Sequence, residues 1–99
     1  MGVPMPKATG KPRGMNRWEQ RFAAELEAWK SSKIVAWWSY ESIRLRLAKG
    51  AWFKCDFAVI YEGEGYLTFY EVKGYMREAA NVRIKVAAET YRQFRFVVV

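Results

Sequence analysis

Two acidic residues and a lysine occupy a predicted β-hairpin in the second half of the chain. Two runs rich in aromatic and β-branched residues, 53–61 and 66–73, are separated by a short loop of glutamates and glycines, which is typical of paired antiparallel strands. This loop places Asp56 directly opposite Glu71, with the two Cβ atoms about 4.5 to 5.5 Å apart. Lys73 follows Glu71 on the same strand and on the same face. We therefore expect the two carboxylates and the amine to be neighbours.

The repulsion between Asp56 and Glu71 can be relieved in two ways. Two unit charges about 4 Å apart interact by roughly 1 kcal/mol in water and about 4 kcal/mol at an effective dielectric of 20. The pair is therefore expected either to share a proton or to bind a cation. Carboxylate oxygens suit Mg²⁺ (or Mn²⁺), which commonly takes further ligands from phosphate. Such a cation would polarise the phosphate and lower the pKa of a bound water, and Lys73 would either orient that water or stabilise charge in the transition state.

A salt-bridge ladder is the alternative interpretation of the same hairpin. Lys54 falls opposite Lys73 in this register, so two lysines and two acids would form a neutral ladder on a solvated edge. The register also pairs Ala58 with Phe69, which places an apolar stripe beside the acids and favours the cation site.

Glu19 is a further acidic candidate. The segment Asn16-Arg17-Trp18-Glu19 has the form of a capping box, and the apolar residues after it follow helical spacing, which together predict a helix over 16–32. Glu19 lies at the edge of the apolar face of this helix. It either pairs with Asn16 as a helix cap or reaches the metal from the helix.

The composition narrows the possible chemistry. The 99 residues include no His and one Cys, with 17 Lys and Arg against 10 Asp and Glu and a formal net charge of +7. The lack of His excludes a His general base, a Ser/His/Asp triad and a Cys₂His₂ zinc site. The basic excess points to a polyanion such as nucleic acid, with solubility alone as the alternative. No signal-like leader or long apolar run is apparent, which predicts a cytoplasmic protein without a membrane span.

Candidate nucleic-acid contacts lie in several regions. Residues 1–15 are rich in proline and basic residues and contain no acid, which predicts a flexible arm that either contacts phosphates or is a solvated tail. Alternating apolar and basic residues over 43–47 predict a strand with one basic face. The predicted contacts are Lys7, Lys11, Arg13, Arg44, Arg46, Lys54, Arg77, Arg83 and Lys85. The aromatic residues that either stack on bases or form core or dimer surface are Trp37, Trp38, Tyr40 and Trp52.

The remaining elements complete a predicted α/β domain over 16–99. Helical spacing predicts a second helix over 77–91, and the apolar run 94–99 is typical of a buried central strand. Because a helix connects it to the hairpin, this last strand is expected to run parallel to one already in the sheet. The strand over 43–47 and the hairpin are expected to form an antiparallel meander. The predicted order is α-β-β-β-α-β, with a mixed central sheet flanked by helices.

The hairpin and its surroundings resemble the PD-(D/E)xK nuclease superfamily. That family's pattern is an Asp on one strand, an acid-x-Lys on the next, an acid on a preceding helix and a following helix with basic residues. More narrowly, the Glu-Val-Lys-Gly-Tyr segment at 71–75, the helix with Arg83 and Lys85, and the apolar strand after it look like the phage endonuclease I type of Holliday-junction resolvase and related small phage proteins. The resemblance covers 16–99 and implies a restriction-endonuclease-like core.

The resemblance implies a Mg²⁺-dependent endodeoxyribonuclease that leaves a 5′-phosphate. By the same resemblance it acts on branched DNA as a homodimer in the host cytoplasm. The implied catalytic residues are Asp56, Glu71, Lys73 and Glu19, and the implied metal ligands are Asp56, Glu71, Val72 and Glu19. The chain departs from the family at Cys55, where the motif usually has Pro, and lacks the C-terminal extension with which resolvases contact DNA or a second subunit. A non-catalytic nucleic-acid-binding module with a structural acid and lysine ladder is the alternative function.

Overall fold

Two helices and six strands make up residues 14–72 and 78–99, the part of the chain that the computed structural model describes. In chain order they are α1 (Arg17–Ser31), β1 (Val35–Tyr40), β2 (Arg44–Ala48), β3 (Ala51–Lys54), β4 (Phe57–Tyr61), β5 (Thr68–Glu71), α2 (Glu78–Thr90) and β6 (Arg95–Val98). The predicted α/β class is confirmed. The predicted order is wrong, because five strands and not three separate the two helices.

The first helix begins and ends as predicted. The Asn16 side chain accepts a hydrogen bond from the Glu19 N–H at 2.8 Å, and Glu19 Oε1 accepts one from the Asn16 N–H at 2.9 Å. These reciprocal bonds satisfy N–H groups that have no partner within the helix. At the other end, the Ser32 N–H donates to the Ala28 carbonyl oxygen. The capping box therefore fixes the point at which α1 starts.

Four strands form the main sheet in the order β1-β4-β5-β6. The β1/β4 and β4/β5 pairs are antiparallel, and β5/β6 is parallel. The hairpin register is the predicted one, since Phe57 pairs with Tyr70 and Ala58 pairs with Phe69. The connection through α2 also returns β6 parallel to an existing strand, as predicted. The prediction of a central strand is wrong, because β6 ends the order of the described strands and pairs with β5 alone.

The strands β2 and β3 form a separate two-stranded ribbon. Gly50 in its turn has a φ of +77°, a conformation that glycine adopts without steric cost. The predicted meander is wrong, because β2 pairs with β3 and not with the hairpin. The predicted continuous strand over 53–61 is also wrong, because Cys55 and Asp56 interrupt it. The part before this break is β3 of the ribbon, and the part after it is β4 of the main sheet. The residues on both sides of this break have high β-propensity, and that propensity does not indicate which strand each part will pair with.

The strand β1 is absent from the sequence prediction. Its two tryptophans pack on opposite sides, Trp37 against the cluster below α2 and Trp38 against the cluster below α1. Tyr40 packs with Trp38 in the second of these clusters. A strand that is covered on both faces lacks the simple alternation of apolar and polar residues, so its sequence pattern does not indicate a strand. These three aromatics belong to the core and not to a base-stacking surface.

The main sheet lies between the two helices. On one face, Leu26 of α1 packs against Phe57 and Val59, and all three are fully buried. On the other face, Phe69 packs in a cluster with Ile84 of α2, which is the predicted contact between the apolar stripe and a helix. Neither described helix is both long enough and apolar enough to cross a membrane.

Candidate metal-binding site

Asp56 and Glu71 lie side by side, as the hairpin register predicts. The Asp56 N–H donates to Glu71 Oε1 at 3.2 Å, and the Val72 N–H donates to Asp56 Oδ2 at 2.8 Å. Asp56 lies in the break between β3 and β4, and Glu71 ends β5. The two backbone bonds therefore hold both carboxylates at the same end of the hairpin. Val72 was predicted as a metal ligand, and its described contact here is the amide that orients Asp56.

Glu19 approaches the pair from α1. It is 2% exposed, and its Oε1 accepts hydrogen bonds from the Asn16 N–H at 2.9 Å and from the Tyr40 hydroxyl at 3.1 Å. A carboxylate oxygen of Glu19 lies within 4.8 Å of one of Asp56, and the charge of Glu19 contributes to raising the pKa of Asp56. The cap and the position beside the predicted metal ligands are therefore compatible, although the sequence presented them as alternatives.

Glu41 is a fourth acid at this place, and the sequence interpretation missed it. In the antiparallel pairing of β1 with β4, Tyr40 lies opposite Phe57, and Glu41 and Asp56 are the next positions. The Glu41 N–H donates to the Asp56 carbonyl oxygen at 2.8 Å. Carboxylate oxygens of Glu19, Glu41 and Asp56 all lie within 4.8 Å of one another. Recognising β1 would have placed Glu41 opposite Asp56 by register alone.

The backbone at Glu41 is strained. Its φ is +48°, in the left-handed region that costs a non-glycine residue roughly 1 kcal/mol or more. The hydroxyls of Ser39 and Ser42 bond to each other across this turn, and the Glu41 amide is tied to Asp56. Such strain persists only where the surroundings fix it, and it is frequent at functional sites. We call Glu19, Glu41, Asp56 and Glu71 the acid cluster.

Burial and mutual repulsion raise the pKa values of two members of the acid cluster, Asp56 and Glu71. Burial first, and then the charge of Asp56, raises the pKa of the Glu71 carboxyl from 4.5 to about 7. Burial and the charge of Glu19 raise the pKa of Asp56, and the hydrogen bond from the Val72 amide lowers it in part. These are the expected responses of neighbouring carboxylates in a poorly solvated place. Without a cation, Glu71 is therefore partly protonated at neutral pH.

Lys54 contacts the acid cluster from the ribbon. Its Nζ lies 3.6 Å from Glu41 Oε1. The ladder interpretation placed Lys54 opposite Lys73, which lies outside the described residues. Among the described residues, Lys54 pairs with Arg44 on β2. The break at Cys55 and Asp56 carries Lys54 out of the hairpin. Lys73 lies outside the described residues, so its catalytic role stays a prediction.

The other predicted nucleic-acid contacts fall into three groups. Two lie with Lys54 on one face of the ribbon, namely Arg44 and Arg46. Two are exposed on α2, namely Arg83 and Lys85. Four lie outside the described residues, namely Lys7, Lys11, Arg13 and Arg77.

The donor atoms of the acid cluster suit a hard divalent cation. They are carboxylate oxygens, which Mg²⁺ and Mn²⁺ prefer, whereas Zn²⁺ sites usually contain His or Cys. The sequence contains no His. Cys55 is buried, and burial raises the pKa of its thiol well above the usual range, so it does not offer a thiolate. The residues present therefore fit Mg²⁺ or Mn²⁺.

Comparisons with known proteins identify no relative. No protein-family model, no curated protein and no solved structure matches the chain. Its function is therefore inferred from its residues and their geometry.

Proposed function

We propose that this protein is a Mg²⁺-dependent endodeoxyribonuclease and that the acid cluster is its cation site. The observation that carries the proposal is the convergence of four carboxylates from α1, the turn after β1, the break before β4 and the end of β5. Grouping like charges in a partly buried place costs folding free energy unless protons or a cation neutralise them. Strongly perturbed carboxylates that meet in this way are candidates for catalysis.

Each acid has a distinct part in this proposal. Asp56, which the Val72 amide holds in place, would bind the cation. Glu19 and Glu41, whose carboxylate oxygens lie within 4.8 Å of one of its own, would supply further ligands. Glu71 completes the set after it loses its proton, which its pKa of about 7 permits at neutral pH. A bound divalent cation supplies Lewis-acid polarisation of a phosphate oxygen. The sequence prediction adds Lys73 as the group that stabilises charge in the transition state.

The basic ribbon supports DNA as the substrate. The protein carries a formal net charge of +7, and the ribbon brings Lys54 into contact with the acid cluster. A phosphate backbone drawn to the ribbon is thereby led to the cation site. The family resemblance further suggests branched DNA as the preferred substrate, a homodimer that presents two sites to two strands, and action in the cytoplasm of a host cell.

Cleavage of labelled DNA tests the proposal. The full-length protein is incubated with a four-way junction and with a linear duplex of the same sequence, in Mg²⁺, in Mn²⁺ and in EDTA. We expect cleavage only with the cations, a preference for the junction, and a loss on the order of 10²-fold or more in Asp56→Asn. Glu62→Gln is the matched control, because Glu62 is exposed in the hairpin loop. No cleavage of either DNA by the wild type leaves the non-catalytic binding module as the function, and equal cleavage of both removes the junction preference alone.

A further inference from the structure

The outer face of the β2–β3 ribbon combines three basic residues with one exposed tryptophan. Arg46 lies directly opposite Trp52, and Arg44 lies directly opposite Lys54. Since directly paired residues point to the same side of an antiparallel ribbon, these four side chains share one face. Trp52 is 48% exposed, whereas Trp37, Trp38 and Tyr40 pack against the core. We call this surface the ribbon face.

The opposite side of the ribbon is anchored to the body of the protein. Leu45 and Phe53, which pair across the ribbon, are buried in the cluster that includes Ile84 of α2. The Tyr91 hydroxyl donates to the Arg46 carbonyl oxygen at 2.6 Å. Burial of one side and this hydrogen bond fix the ribbon on α2. The ribbon face therefore belongs to a hairpin that is packed against the body of the protein.

Trp52 is held in place by an arginine. The Arg44 guanidinium lies over the indole with its central carbon 5.0 Å from the ring centroid, a cation–π contact. This contact occupies part of the ring surface, and nearly half of the residue remains open to solvent. The exposed indole offers a flat apolar surface for stacking, and the three cationic side chains on the same face attract phosphates. Together they match a partner that has both phosphates and flat aromatic surfaces.

From this arrangement we infer that the ribbon face binds unpaired nucleotides, with a base stacked on Trp52 and the flanking phosphates held by Arg46 and Lys54. In a duplex the base faces are stacked on one another, so only an unpaired base can offer its face to an indole. The inference rests on the proposed DNA substrate and specifies which part of it the protein recognises.

The ribbon face is close to the acid cluster along the chain. Trp52 and Asp56 are separated by a stretch that spans at most about 14 Å when extended, equal to roughly four base-pair steps of duplex. Lys54 lies between them and contacts Glu41. A base held on Trp52 therefore places the cation site within a few nucleotides of an unpaired segment, at the boundary between single and double strands.

Binding measured in EDTA tests this inference without cleavage. Fluorescence anisotropy is recorded with a labelled oligothymidine and with a labelled duplex of equal length, for the wild type, Trp52→Ala and Trp52→Tyr. We expect Trp52→Ala to weaken oligothymidine binding by roughly 10-fold or more, the usual scale for removing one base–aromatic stack. Duplex binding should change by less than about 3-fold, and Trp52→Tyr should recover most of the affinity that Trp52→Ala removes.

The matched control is Trp18→Ala. Trp18 is 51% exposed and also lies beneath an arginine, since the Arg21 guanidinium carbon is 5.5 Å from its ring, but it is on α1 and not on the ribbon. We expect this variant to bind oligothymidine like the wild type. Oligothymidine affinity that survives Trp52→Ala, or an equal loss for both DNAs, overturns the inference. Cleavage in Mg²⁺ is scored separately, so failure of the ribbon face and failure of the nuclease are distinguishable.

Discussion

Replacing Glu71 by Gln should make the cation-free protein more stable at pH 8. Burial and the charge of Asp56 raise the pKa of Glu71 from 4.5 to about 7. Because the folded-state pKa lies above the unfolded one, the folded state binds more protons between these values, and the free energy of unfolding falls as pH rises through this window. At pH 8 the wild type carries the full cost of the ionised carboxylate. Gln removes the charge and keeps an oxygen that can accept the Asp56 N–H.

The size of this effect follows from the pKa of Glu71. A difference of about 2.5 pKa units corresponds to about 3.4 kcal/mol at full strength. Glu71 is partly exposed, so solvent screening reduces the cost, and we expect about 1.5 kcal/mol. For a domain of this size, that change raises Tm by roughly 6 to 12 °C. At pH 5 most of the difference should disappear, because the folded wild type is then protonated at Glu71.

Thermal unfolding followed by circular dichroism in EDTA at pH 8 and pH 5 measures the effect. Glu62→Gln makes the same chemical change at an exposed loop position, and its Tm should equal that of the wild type. A Glu71→Gln protein that is less stable than the wild type at pH 8 would refute the reasoning. That result would mean that the carboxylate is stabilised by its neighbours, as in a structural salt-bridge ladder.

Three further predictions follow from the same site. Addition of about 10 mM Mg²⁺ should stabilise the wild type by about 1.4 kcal/mol if the dissociation constant is about 1 mM. The gain in Tm should be smaller at pH 5.5, where Glu71 is protonated, and absent in Asp56→Asn. A wild-type Tm that does not change with Mg²⁺ at pH 8 would count against the site. Lys73→Ala should keep DNA affinity and Mg²⁺ stabilisation while cutting the cleavage rate by about 10² or more, so that weakened binding in this variant would contradict a role in the chemical step. Deletion of residues 1–13 should flatten the log–log dependence of duplex affinity on salt by about 0.9 for each phosphate that the arm neutralises, and an unchanged slope would identify the arm as a tail.

The parts of the fold that the sequence predicted correctly depend on short-range constraints. The capping box of Asn16 and Glu19 involves residues within one helical turn, and both of its hydrogen bonds form. The register of the hairpin follows from its loop length, and the Phe57↔Tyr70 pair is as predicted. That register was sufficient to bring Asp56 beside Glu71. Local chemistry therefore identified the core of the candidate site.

The parts that the sequence did not predict depend on pairing between distant segments. No local sequence feature marks where β3 ends and β4 begins. The break at Cys55 and Asp56 exists because β3 pairs with β2, whereas β4 pairs with β1 and β5. The same break removes Lys54 from the hairpin. Glu41 enters the acid cluster only through the pairing of β1 with β4, and β1 was hidden because its side chains are covered on both faces.

The cation site at the acid cluster is the claim on which the proposed function depends, and crystals soaked in Mn²⁺ test it most directly. An anomalous difference map locates the ion independently of any activity. We expect a peak within about 2.5 Å of carboxylate oxygens of Asp56 and of at least one other member of the cluster, and no peak there in crystals of Asp56→Asn. A map at millimolar Mn²⁺ with no density among these carboxylates, or with the ion bound at another place, would contradict the site.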